Sequence, residues 1–183
     1  MITKEKKNII LGVTASIAIY KACDLIRKLR GCGFAVHVVM TKEAEELIKP
    51  IVFQSLTGNR VYRGGIFEEQ DAWEIEHISL AEKADLILIA PATANIIAKL
   101  ACGICDDLLT CAACAAKAKV LIAPAMNENM YQNKITQSNI AKLKSCGYKF
   151  IAPEKGLLAC GAVGIGCLAG TDEIVRASKK ILE

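Results

Sequence analysis

Three short apolar runs in this chain each end against a proline: residues 85–90 (DLILIA) before Pro91, 119–123 (KVLIA) before Pro124, and 148–152 (YKFIA) before Pro153. They are too short for packed helices and rich in branched or aromatic side chains. They stop where proline would remove a ladder N–H, so each reads as a buried strand. Two more strands come earlier, at Asn8–Val13 and 34–40. Between these two, Ile17, Tyr20, Leu25 and Leu29 recur at roughly helical spacing over 16–30, and Gly31 and Gly33 stop the helix. Strand, helix, strand is the unit of a parallel sheet.

Further helices are expected at 42–48 (with Thr41 as cap), Pro50–Thr57, 77–83, 93–101, 107–117, 127–131, 136–146 and 172–182. Residues 58–76, where periodicity fades and Glu68, Glu69 and Asp71 gather, read as a surface excursion, and 156–170 as a glycine-rich loop. Strand and helix alternate without a linker or repeat. The expectation is an α/β fold: a single doubly wound, Rossmann-like parallel-sheet domain over residues 1–183. Ligands bind such sheets beyond the carboxyl ends of the strands. That selects four places: 14–16, Thr41, 91–95 and 124–127.

Composition narrows the class. The chain is 53% hydrophobic but only 5% aromatic, which calls for an aliphatic core and suits a subunit that also buries an oligomer interface. The net charge of +4 comes from scattered Lys and Arg with no basic stripe among aromatics, so no nucleic-acid partner is expected. No stretch is long and apolar enough for a membrane helix, and no export signal is visible. A cytoplasmic protein is expected, with its nine cysteines as reduced thiols.

The first loop, GVTAS at 12–16, joins a strand to a helix. A helix N-terminus offers free N–H groups and partial positive charge to a phosphate, and Thr14 and Ser16 add hydroxyls. The loop is neither G-x-G-x-x-G nor a P-loop. On this loop alone, Ser16 serves equally well as a plain helix cap, and Gly12 as a packing residue.

Four other segments carry a resemblance. PATAN at 91–95, PAMNENMY at 124–131, HISLA at 77–81 and LACG at 158–161 occur in order, after GVTASIAIYK at 12–21. Together they resemble the motifs of the homo-oligomeric flavin-containing cysteine decarboxylases, over nearly the whole chain. The LACG segment is similar to that of the phosphopantothenoylcysteine decarboxylase branch. The resemblance implies a Rossmann-like flavoprotein, a trimer or assembly of trimers, with FMN at a subunit interface. It also implies a stand-alone decarboxylase, its usual synthetase companion being a separate protein.

By resemblance, His77 is the active-site base, a role suited to a group that titrates near neutrality. Asn127 binds the substrate carboxylate, and Cys160 in a loop over the substrate returns a proton. Gly12, Thr14, Ser16, Thr41, Ala92, Thr93 and Asn95 are the expected FMN contacts. Met126, Asn127, Ala159 and Gly161 are the expected substrate contacts. Phe53 would either meet the flavin ring or sit in the core, and His37, inside an apolar strand, is read as structural. The implied chemistry is oxidation of the cysteine thiol, loss of carbon dioxide and reduction of the resulting enethiol, giving 4′-phosphopantetheine. Peptidyl-cysteine relatives that stop at the enethiol are not expected to carry Cys160. A flavin prenyltransferase is disfavoured by PAMN with His77. A non-catalytic flavin-binding regulator is disfavoured because the acidic or disordered extensions usual in such proteins are missing. Two features stand apart. Cys102, Cys105, Cys111 and Cys114 form a double C-x-x-C, but in an Ala-rich helical stretch where free cysteine acts as a small hydrophobe, so no metal is expected. After Gly161, many relatives continue with Asp and later Arg-Met, whereas this chain runs AVGIGCL at 162–168, a departure expected to change the loop's contacts, those with the substrate phosphate above all.

Overall fold

A computed structural model describes residues 6–64 and 76–183. The acidic residues Glu68, Glu69 and Asp71 lie outside the described residues. Along the chain come β1 (Asn8–Val13), a 3-10 turn (Ile17–Tyr20), α1 (Lys21–Gly31), β2 (Ala35–Met40), α2 (Lys42–Glu45), α3 (Pro50–Thr57) and β3 (Val61–Tyr62). Then follow α4 (Glu76–Lys83), β4 (Leu86–Ala92), α5 (Ala94–Cys102), α6 (Leu108–Ala115), β5 (Lys119–Pro124), α7 (Glu128–Gln132), α8 (Lys134–Ser145) and β6 (Lys149–Phe150). The chain closes with β7 (Glu154–Leu157), β8 (Val163–Cys167) and α9 (Thr171–Leu182).

Six strands form one parallel sheet in the order β3-β2-β1-β4-β5-β6. Side chains alternate across it. Ile9, Leu11 and Val13 join one core layer with Phe53 and the buried residues of α1 and α9. Ile10, Ile87 and Ile89 join the other, with those of α5, α6 and α8. A strand buried on both faces has no polar side to show, which is why these runs are continuously apolar. The fold is thus α/β and doubly wound.

The structure adjusts the reading in places. The first helix opens with a 3-10 turn, α2 ends at Glu45 rather than 48, and the short edge strand β3 lies inside the expected surface excursion. The expected glycine-rich loop contains an antiparallel hairpin, β7 against β8, separate from the main sheet. Its alternation is invisible to an apolar-pattern reading because the buried positions of β8 are Gly164 and Gly166, with Val163 and Ile165 exposed.

Candidate active site

β1 and β4 lie side by side, and the chain leaves them toward opposite faces of the sheet, to α1 and α5. A crevice must open at such a switch point. A cavity of about 600 Å³ lies there, lined by Ser16, Lys21, Thr93, Met126, Asn127, Cys160 and largely apolar neighbours.

Its floor is built by backbone and buried hydroxyls. Thr14, 1% exposed, donates its Oγ1–H to the Pro91 carbonyl (2.8 Å) and accepts the Thr93 N–H (3.1 Å), tying the two loops together. The Ala125 N–H adds the third loop by donating to the Ala92 carbonyl (2.9 Å). Two helical stretches then start at the cavity. Ser16 caps the 3-10 turn through the Ala18 N–H (3.4 Å), and Thr93 caps α5 through the Ile96 N–H (3.3 Å). Both starts present partial positive charge, and among the described residues no carboxylate is in the lining. Lys21 lines the wall and donates to the Leu168 carbonyl (3.3 Å).

Asn127 follows β5 and caps α7. Its Oδ1 accepts the Asn129 N–H (2.9 Å), which fixes the amide's orientation. The Nδ2 amino group is left to face the Cys160 Sγ at 3.8 Å. Cys160 stands in the turn of the β7–β8 hairpin, closed by the Leu158 N–H on Ala162 O (2.8 Å) and the Gly161 N–H on Leu158 O (2.9 Å). Gly161 sits at φ +84°, a conformation glycine tolerates. The hairpin is a flap over the cavity. Its base meets the segment after β5, where the Met126 N–H donates to Gly166 O (3.0 Å). A Cβ on Gly166 would stand 2.1 Å from the Met126 carbonyl oxygen, so only glycine fits.

Of the residues expected at the site, Ser16, Thr93, Met126, Asn127, Ala159 and Cys160 line the cavity. Others do not. Gly12 is a packing glycine: a Cβ there would meet Leu109 Cδ1 at 2.6 Å. Thr14 is not among the lining residues, and its hydroxyl is engaged on both sides in holding the floor together. Thr41 and Ala92 are buried and Asn95 is exposed, all three outside the lining, as is Gly161. His77 is half-buried on α4 and does not line the cavity. Phe53 is fully buried in the core. His37 is buried in β2, and burial, then the Lys83 charge, pushes its pKa down.

The motif reading missed Tyr20, Lys21, Met130, Leu157 and Cys167, which also line the cavity. Tyr20 and Lys21 were within reach of it, because they lie one helical turn beyond Ser16 and Ile17. At the double C-x-x-C, the Cys111 thiol lies 3.3 Å from the Cys105 carbonyl oxygen. Burial pushes the Cys111 thiol up, and burial followed by the Cys105 thiol pushes Cys114 up to about 12. Among the described residues, no three His, Cys, Asp or Glu side chains are grouped as metal ligands.

The chain resembles known proteins along almost its whole length. A family model described as Flavoprotein matches residues 2–183. The "probable phosphopantothenoylcysteine decarboxylase" of Streptococcus mutans is 49% identical over 172 residues, covering 93% of this chain and 96% of that protein. The coenzyme A biosynthesis bifunctional protein CoaBC of Bacillus subtilis is 48% identical over 174 residues, 95% of this chain but 43% of that protein. The chain thus spans less than half the length of this bifunctional relative. Among solved structures, a PPC decarboxylase cysteine-to-serine mutant complexed with pantothenoylaminoethenethiol superposes with TM-score 0.85 at 29% identity, over 96% of this chain and 98% of that one. The FMN-dependent cysteine decarboxylase SpaF does so with TM-score 0.81 at 28% identity, over 97% and 98%. With a family model matching nearly every residue and relatives close to half identical across that span, the chain belongs to the Flavoprotein family.

Proposed function

We propose that residues 1–183 form one FMN-binding domain that decarboxylates phosphopantothenoylcysteine to 4′-phosphopantetheine in coenzyme A synthesis. The observation that carries this reading is the meeting of Asn127 Nδ2 and Cys160 Sγ at 3.8 Å over a cavity large enough for a flavin and a substrate arm.

The donor set fits FMN. The helical starts at Ser16 and Thr93, with no carboxylate of the described residues in the lining, suit its phosphate, and the walls of Ala, Met and Leu suit its ring system. When bound, FMN supplies the two-electron acceptor and donor that an unactivated cysteine carboxylate needs in order to lose carbon dioxide. The protein's residues do the rest. With its Oδ1 committed to the cap, Asn127 offers Nδ2–H to the substrate carboxylate. The apolar wall keeps water from that carboxylate, which favours its departure as carbon dioxide. Cys160 Sγ–H delivers a proton to the substrate carbon once the carboxylate has left.

His77 stands off the cavity of its own chain, so in this reading a second copy supplies it. The exposed apolar side chains around the mouth, Ile17, Tyr20, Met130 and Leu157, are suited to such an interface. We accordingly propose a homo-oligomer, a trimer or assembly of trimers, working in the cytoplasm. Among the described residues, no helix is long and apolar enough to cross a membrane.

Mass spectrometry of the product made from phosphopantothenoylcysteine tests the reading. Loss of carbon dioxide alone is expected. Loss of carbon dioxide and two hydrogens means that the enethiol is released and a peptidyl substrate is favoured. No turnover by the flavin-loaded protein overturns the assignment.

A further inference from the structure

Within the PAMNENMY segment, one charged side chain to which no role has been given ties the flap to the cavity rim. Glu128 is the first residue of α7, directly after Asn127, and does not line the cavity. Its Oε1 accepts the Ile165 N–H of β8 at 3.0 Å and the Gln132 side-chain amide at 3.2 Å. An ideal Cβ on Gly164 would lie 2.5 Å from Glu128 Oε2, so a glycine there makes room for the carboxylate. Both buried positions of β8, Gly164 and Gly166, are therefore filled from one three-residue stretch, Glu128 for the first and Met126 for the second. The residue between them, Asn127, meets Cys160 at the other end of the same flap.

The latch matters because of what the flap lacks. A two-stranded hairpin is marginal by itself, and this one shares no ladder with the main sheet. Two of its large apolar side chains, Leu157 and Val163, are 72% and 67% exposed while Leu158 is buried, so hydrophobic burial holds it less than it holds the strands of the main sheet. A carboxylate accepting a backbone N–H is among the stronger hydrogen bonds available. We propose that Glu128 is a positioning residue: it seats the hairpin on the cavity rim and thereby sets where the Cys160 thiol stands. The consequence at Cys160 rests on the decarboxylase reading; the seating rests on geometry alone.

The test compares the parent protein with Glu128→Gln, Glu128→Ala and Gly164→Ala. Hydrogen–deuterium exchange at the Ile165 amide is followed in flavin-free protein, and the product from phosphopantothenoylcysteine is weighed in flavin-loaded protein. Glu128→Ala removes the acceptor, and Gly164→Ala pushes the carboxylate aside. Both should speed Ile165 exchange on the order of tenfold. Both should also raise the share of product lacking two hydrogens, because the proton donor is misplaced. Glu128→Gln keeps a carbonyl acceptor and should stay within about threefold of the parent in exchange, with its product distribution. Unchanged exchange in Glu128→Ala, or a Gln variant as fast as the Ala variant, overturns the latch. Faster exchange with an unchanged product overturns its link to Cys160. If the parent gives no decarboxylated product at all, the functional reading fails, and the exchange data alone still decide whether Glu128 holds the flap.

Discussion

On the floor of the cavity, Thr14 is buried and its hydroxyl is used in both directions, to Pro91 and from Thr93, beneath three loops that grow out of a six-stranded sheet. On the flap, Leu157 and Val163 stand in solvent, and the hairpin is held by the Met126 N–H, a carboxylate and glycines that leave room for them. Both regions contribute to one site. The floor is continuous with the core, whereas the flap is a separate two-stranded sheet with two of its large side chains in solvent, so the flap is the piece expected to open first. The difference matches the division of labour proposed above. Groups that hold a cofactor need a rigid base, and the group that delivers a proton can sit on a piece that opens for substrate.

This contrast can be broken or sharpened experimentally. The largest effect is expected at the flap's tip. Cys160→Ser should change the identity of the product, from loss of carbon dioxide alone to loss of carbon dioxide and two hydrogens, as read by mass spectrometry, with global stability unchanged. Next is the flap's base. Gly166→Ala forces a side chain into φ +152° against a backbone oxygen and should cost roughly 2–4 kcal/mol. Hydrogen exchange should show that cost confined to residues 154–167. A cost spread over the parallel sheet would mean that the flap is part of the core.

On the floor, Thr14→Val leaves the Thr93 N–H and the Pro91 carbonyl without that partner. It should cost about 2 kcal/mol of global stability in denaturant unfolding, with flap exchange unchanged. The smallest effect is expected at the far end of the sheet. There Asp85 accepts from the Asn8 N–H and from Lys7, both at 2.8 Å. Burial pushes the Asp85 carboxyl up, but the Lys7 ammonium and the Asn8 N–H together hold it below its ordinary value. A depressed carboxyl contributes stability above its unfolded pKa and loses it as pH falls through the folded one. Asp85→Asn should therefore cost roughly 0.5–1.5 kcal/mol at pH 7, and the gap from the parent should close below about pH 4. A gap that persists in acid would show that the carboxylate's charge is not what pins β1 to β4.

The sheet could be read in advance because a strand buried on both faces must be apolar throughout, as LILIA at 86–90 is, and because proline and glycine mark where strands and helices stop. Of the four places that the switch-point rule selected, three border the cavity, at 14–16, 91–95 and 124–127, and Thr41 does not. Which side chains of those loops face the cavity was a separate question. Thr14 looked like a phosphate donor because its type and position fit, yet its hydroxyl is spent inside the protein. Of the two readings of Gly12, FMN contact or packing residue, the packing one has a partner in the structure, Leu109. The flap was read as a loop because glycine, which marks flexibility in a sequence, here marks the positions where Glu128 and the Met126 carbonyl press in.

The amino-acid order by itself determined the α/β architecture and the order of its elements through most of the chain. Strand burial, helix periodicity and turn chemistry are local properties that each segment carries with it. Only the tertiary structure decided that Thr14 ties the Pro91 loop to its own, that His77 stands off its own chain's cavity, and that Glu128 reaches Ile165. These depend on distances between residues far apart in sequence, and such distances are set by how the segments pack, which no local pattern records.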